Sequence, residues 1–98
     1  MTVIAELDGV EQGFMTMGWD GFVDFAYVLP EAMGTGVAPA LHEAIVHVAR
    51  ELKLQKLEVE ASHLARRFFL KHGWEELCEQ QVERRGVRIT NFRMQRPL

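Results

Sequence analysis

Val28-Leu29-Pro30-Glu31-Ala32-Met33-Gly34-Thr35-Gly36-Val37-Ala38 is the stretch at which this chain changes its hydrophobic period. Immediately before it, Phe22 to Val28 is rich in β-branched and aromatic residues and reads as a strand that ends at Leu29-Pro30. After it, Val37, Leu41, Ala44, Ile45, Val48, Ala49 and Leu52 recur every three to four residues, the stripe of an amphipathic helix. Pro39 falls in the first turn of that helix, where a missing N–H removes no hydrogen bond. The stretch is therefore a strand end, a glycine-bearing loop and a helix entry in succession. Glycines let a backbone approach a ligand and turn successive N–H groups toward it, and a helix N-terminus adds unpaired donors and partial positive charge. Such a loop binds phosphate without a side-chain cation, or serves only to turn the chain into the helix. No Lys-Ser/Thr follows the glycines as a P-loop needs, and no third glycine is placed for a dinucleotide fold.

Working outward, the N-terminal side is a meander. Thr2 to Leu7 alternates, Asp8-Gly9 supplies a two-residue hairpin turn, Val10 to Trp19 makes a second strand, and Asp20-Gly21 repeats the turn signal before Phe22. On the C-terminal side, Leu54 to Ala61 returns to alternation with Leu57, Val59 and Ala61 on one face and Glu58 and Glu60 on the other. Ser62 caps a short helix through Ala65, Phe68 and Phe69 that stops at Gly73. Glu75 to Arg84 and Val87 to Met94, joined at Arg85-Gly86, close the chain as two strands. The predicted order is β-β-β-α-β-α-β-β, a mixed α+β domain whose sheet is mainly antiparallel.

A chain of 98 residues holds one domain. With 48% apolar and 26% charged residues it has the composition of a globular protein, not of a disordered or fibrous one. No apolar run is long enough to span a membrane and the first residues lack a basic signal start, so a cytoplasmic location is expected. The single cysteine, Cys78, excludes an internal disulfide and reads most simply as a small buried hydrophobe. His42 and His47 do not share a helix face and no third ligand accompanies them, so no metal is expected. His63 and His72 flank the short helix as capping or surface groups. Met15, Met17, Trp19, Phe22 and Phe25 fall on adjacent strands and read as core, with some available to line a pocket.

Net charge is −3, but it is unevenly distributed. Residues 1–34 carry Glu6, Asp8, Glu11, Asp20, Asp24 and Glu31 with no Lys or Arg, whereas residues 81–98 carry Arg84, Arg85, Arg88, Arg93 and Arg96 against Glu83 alone. The two ends are either solvated strand faces or an acidic rim for an amine and a basic rim for phosphate. Without regularly interleaved aromatics the arginines do not make a nucleic-acid site.

Met33-Gly34-Thr35-Gly36-Val37-Ala38, following Val28-Leu29-Pro30, resembles the coenzyme-binding loop of the GNAT acetyltransferases, Gln/Arg-x-x-Gly-x-Gly/Ala after a strand ending Val-x-Pro, at all but its first position. Leu57-Glu58-Val59-Glu60-Ala61-Ser62 resembles that family's next strand, and Ala65-Arg66-Arg67-Phe68-Phe69-Leu70-Lys71-His72-Gly73-Trp74 its following helix. Gly86-Val87-Arg88-Ile89-Thr90-Asn91-Phe92-Arg93-Met94 is similar to the last strand of some bacterial members. The motifs occur in order and cover nearly the whole chain.

The resemblance implies a GNAT-like domain over residues 1–98 that binds acetyl coenzyme A as co-substrate and acetylates a cationic amine, small molecule or protein. Pantetheine would lie where the strands ending at Val28 and Ala61 splay apart, bonded to the backbone of Ala26, Tyr27 and Val28, with pyrophosphate on Gly34, Thr35, Gly36, Val37 and Ala38. Glu58 is the expected base, with Glu60, Asp24 and Glu31 as further candidates. The position usually held by an acidic tyrosine is Phe69, which has no proton to give and becomes a wall of the slot or core. Ser62, Tyr27, water or unassisted departure of the thiolate are the alternatives. Family members begin with another strand and two helices, so the resemblance implies that residues 1–98 lack these elements or are a fragment of a longer protein. An apolar sheet face is therefore expected to stand open, covered by a second copy or another chain. Two rival readings follow: a non-catalytic GNAT-like module, and an unrelated α+β binding domain.

Overall fold

The computed structural model describes all residues from Met1 to Leu98. Strands β1 (Thr2–Leu7), β2 (Val10–Met17) and β3 (Phe22–Val28) form the meander, a 3-10 turn follows at Pro30–Ala32, and α1 occupies Val37–Glu51. Then come β4 (Lys56–Ala61), α2 (His63–Lys71), β5 (Glu75–Arg84) and β6 (Val87–Pro97). The strands make one sheet in the order β1-β2-β3-β4-β6-β5, antiparallel except for β3 against β4.

Both helices lie on one face of this sheet. Met17, Val23, Val59 and Met94 are register partners in a row across β2, β3, β4 and β6, and all four are buried beneath the helices. From α1, Leu41, Ile45 and Ala49 meet them at helical spacing. The α2 stripe adds Phe69, and Trp74 closes the core behind it. The opposite face carries no helix, and there Ile4 is 51% and Phe25 is 68% exposed.

The turns follow their residues, with one exception. Asp8-Gly9 and Arg85-Gly86 both hold the paired left-handed dihedrals of a two-residue hairpin. At Asp20-Gly21 only Gly21 is left-handed (φ 91°), because β2 ends at Met17 and the turn spans Gly18–Gly21, closed by the Gly21 N–H on the Gly18 carbonyl at 3.0 Å. Trp19 therefore stands in the turn, 70% exposed, and not in the core. Ser62 caps α2 as expected, its Oγ accepting from the Ala65 N–H at 3.2 Å.

Two register skips place residues that period alone misassigns. Thr16 pairs with Phe25 and Met17 with Val23, so Asp24 is an extra residue in β3. A bulge of this kind reverses which side chains face which layer. Phe25 and Tyr27 are sent to the open face, while Ala26 and Val28 face the helices. The second skip, between Glu76 and Cys78, lies in edge strand β5 and leaves Cys78 exposed, not buried. β4 begins at Lys56 and not Leu54, because left-handed Lys53 (φ 60°) ends the turn after α1. β6 runs on to Pro97, paired with Lys56.

Candidate functional site

The parallel contact between β3 and β4 is very short. Only Phe22 with Glu58 and Val23 with Val59 are paired, and the bulge at Asp24 follows at once. Beyond Val23 the side of β3 that faces β4 has no strand partner, and β4 pairs only with β6. The strands separate toward the end where Pro30–Gly36 turns the chain into α1. A cleft of about 500 Å³ fills this gap, within the usual size of small-molecule sites.

The cleft brings together Ala26, Tyr27 and Val28 of β3, Gly34, Gly36 and Ala38 of the loop and helix start, and Phe69 of α2. Thr35 and Val37, expected with them, do not line it. The Thr35 hydroxyl donates to the Ala32 carbonyl, and Val37 packs against the core. Residues that sequence reasoning missed complete the walls: Phe14 from β2, Met33 from the loop, and Leu64 and Phe68 from α2. Met33 (61% exposed) and Leu64 (73%) are large apolar groups left at the surface at the cleft's rim.

At the loop, Gly34 (φ 79°) and Gly36 (φ 90°) hold left-handed conformations, and a Cβ at either would meet nothing within 4 Å. Their conformation, not crowding, selects glycine. The N–H groups of Gly34, Gly36, Val37 and Ala38 donate to nothing in the protein, and no side chain caps α1. Open space lies beside a cluster of unpaired donors at the positive end of a 15-residue helix, which suits a diphosphate. The apolar length of the cleft suits a pantetheine arm.

A smaller hollow of about 260 Å³ adjoins the cleft and shares Ala26, Ser62, Ala65 and Phe69 with it. Two carboxylates, Asp24 and Glu60, line it and no Lys or Arg does. Asp24 accepts a hydrogen bond from the Thr16 hydroxyl, and Glu60 makes no ion pair. Glu58 lines neither cavity. Its carboxylate lies 3.3 Å from Lys56 Nζ and 4.0 Å from Arg93, half-exposed on the open face. Glu31 sits exposed in the 3-10 turn, also outside both cavities. Phe69 is 3% exposed and borders both cavities, so it is at once a wall and part of the core.

Behind the cleft, His42 is buried and its Nε2 accepts from Trp74 Nε1–H at 2.8 Å. Trp can only donate, so the imidazole is neutral with its proton on Nδ1. Burial lowers its pKa from 6.5 to about 4, helped by neighbouring His72 and Arg96 and opposed by Glu43. A base whose folded pKa is depressed gives its full stability above the unfolded value and loses it as pH falls. Between pH 6.5 and pH 4 the unfolded chain takes up a proton that the folded one refuses, a loss of about 2–3 kcal/mol. Urea midpoints should show this as a steeper acid-side decline in the wild type than in His42→Asn, which keeps an acceptor but no titration. Equal slopes would remove His42 as the cause. His47, by contrast, is exposed and lies 2.8 Å from Glu51.

Comparison with known proteins agrees with this geometry. The family described as "Acetyltransferase (GNAT) domain" matches residues 1–96. The uncharacterized N-acetyltransferase YafP of Escherichia coli K12 is 37% identical over 73 residues, covering 74% of this chain and 45% of its own length. A GCN5-related N-acetyltransferase structure from Rhodopseudomonas palustris superposes with a TM-score of 0.92 at 33% identity, over 100% of this chain and 61% of that one. The yncA protein of Salmonella typhimurium, solved with its cofactor acetyl-CoA, superposes at 0.84 with 18% identity, over 98% of this chain and 63% of that one. The chain thus spans less than two thirds of the length of these relatives. No helix is long and apolar enough to cross a membrane.

Proposed function

This chain belongs to the GNAT acetyltransferase family, and from that premise we propose that it binds acetyl-CoA and transfers the acetyl group to a primary amine by direct attack in a ternary complex. The observation that carries the reading is the cleft between β3 and β4 ending at the unpaired N–H groups of Gly34, Gly36, Val37 and Ala38. Pyrophosphate would take those donors. Pantetheine would run along the free edge of Ala26, Tyr27 and Val28, its thioester arriving where the cleft meets the acidic hollow.

In that arrangement the ammonium of the acceptor enters the hollow beside Asp24 and Glu60 and gives one proton to a carboxylate. The free amine attacks the thioester carbonyl carbon, a backbone N–H at the end of β3 stabilises the oxyanion, the carbon–sulfur bond breaks, and the nitrogen's second proton passes, directly or through a hydroxyl relay, to the departing thiolate, so that an amide and coenzyme A thiol result. Glu60 is better placed as the base than Glu58, which is neutralised by two cations on the open face. Phe69 cannot protonate the thiolate. Ser62 and Tyr27 both line the cleft and carry a hydroxyl, and Ser62 Oγ uses only its acceptor side on Ala65, so its proton is free to donate.

Phe69 also favours a second reading, a module that binds acetyl-CoA or a partner chain without turnover. Calorimetry with acetyl-CoA and a thiol-release assay over a panel of mono- and diamines separate the two. Binding with amine-dependent thiol release supports transfer, binding without release from any amine leaves the module, and absence of binding by folded protein refutes transfer and leaves only the partner-binding form of the module.

A further inference from the structure

The uneven charge of the sequence becomes a definite shape in the fold. β1 runs up from Thr2, β3 and β4 run the same way, and β6 runs down, so the turns at Asp8-Gly9 and Arg85-Gly86 project from the same end of the sheet. β4 stops at Ala61, opposite Phe92, and the β5–β6 hairpin continues past it from Asn91 to Val87 with only its own two strands paired. Two prongs, the β1–β2 and β5–β6 hairpins, therefore stand on either side of the cleft end. They have opposite charge. One carries Glu6, Asp8 and Glu11, and the other Arg84, Arg85 and Arg88 with the single acid Glu83 opposite Arg88, a net positive prong; all are exposed and none is in an ion pair.

Each prong also presents apolar surface: Leu7 is 63% and Val10 57% exposed on the acidic one, Val87 60% and Ile89 44% on the basic one. On the acidic prong, Glu6 and Glu11 are register partners facing each other across the strands. Like charges directly opposite repel, and no cation of this chain relieves them. A cationic partner would.

We propose that the partner is a second copy of this chain, bound prong to prong about a two-fold axis normal to the sheet. That axis exchanges left with right as well as top with bottom. The acidic prong of each copy meets the basic prong of the other, and the contact forms twice, as a closed isologous pair requires. A two-fold along the other horizontal direction would set acid on acid and is excluded by repulsion. Apolar contact between Leu7 and Val10 and the other copy's Val87 and Ile89 supplies affinity, while charge sets register and partner choice. The open face with Ile4 and Phe25 stays uncovered in this dimer.

The test uses the full chain and leaves the turn residues Asp8 and Arg85 intact. Sedimentation at about 100 µM protein and about 20 mM salt should give a dimer, weakened at least tenfold near 1 M salt. Glu6→Lys/Glu11→Lys and Arg84→Glu/Arg88→Glu, each folded by circular dichroism, should be monomers alone and a heterodimer when mixed. A wild-type monomer, including one whose basic prong instead binds heparin, overturns the proposal. Reversed variants that still dimerise, or that fail to recombine when mixed, overturn it equally.

Discussion

Gly36→Trp should lower affinity for acetyl-CoA by about 100-fold or more while leaving a folded protein. Gly36 holds φ 90° and ψ 5°, and an L-residue there carries strain of about 1–3 kcal/mol. No atom lies within 4 Å of where its Cβ would be, so the fold has room for the side chain and the damage stays in the loop. At roughly 4–8 °C per kcal/mol for a domain of this size, melting should fall by some 5–20 °C. The affinity loss has a separate origin. An indole would fill the space above the N–H groups of Gly36, Val37 and Ala38, and changing the dihedrals would turn those donors away. Gly86→Trp is the control. Gly86 is also left-handed (φ 76°) with nothing within 4 Å, but it lies in the β5–β6 hairpin turn and does not line the cleft. It should melt lower and bind acetyl-CoA as the wild type does. Equal affinity loss in both variants, or none in Gly36→Trp, would take the phosphate-binding role from this loop.

The loop was legible because its signals are local. A strand ending at Val28-Leu29-Pro30, two glycines and a helical stripe from Val37 are read from adjacent residues, and the structure places β3, the turn and α1 there. Ser62 as a cap and Gly73 as a stop are local in the same sense. Pairing is not local. The extra residue at Asp24 exists only relative to the partner strand, since it appears as Phe25 opposite Thr16 and Val23 opposite Met17. Alternation from Val23 puts Phe25 in the core, and the bulge puts it on the open face. Cys78 fails for the same reason, through the skip in β5. The walls of the cleft from Phe14 and Leu64 come from elements far apart in sequence, and nothing near either residue marks them as neighbours.

Glu60→Gln should reduce kcat by about 10²–10⁴, the range for loss of a general base, whereas Glu58→Gln should change it by less than about threefold. Both side chains leave the same face of β4, and the sequence alone gives no reason to separate them. Their neighbours do. At Glu58, β3 is still paired through Phe22, and Lys56 and Arg93 hold the carboxylate outside the cavities. Two residues on, β3 has bulged away, so Glu60 borders the hollow that opens toward the cleft, with no cation committed to it. The base must reach the ammonium at the point where the thioester arrives, and geometry decides this before acidity does. Asp24→Asn should act differently, raising KM for cationic acceptors with little change in kcat, because its Thr16 hydrogen bond fixes it as a charge beside the amine. If Glu58→Gln loses activity as deeply as Glu60→Gln, the base is not assigned by the splay of the strands. If neither does, proton removal lies with Asp24 or with water, and the hollow serves only to hold the cation.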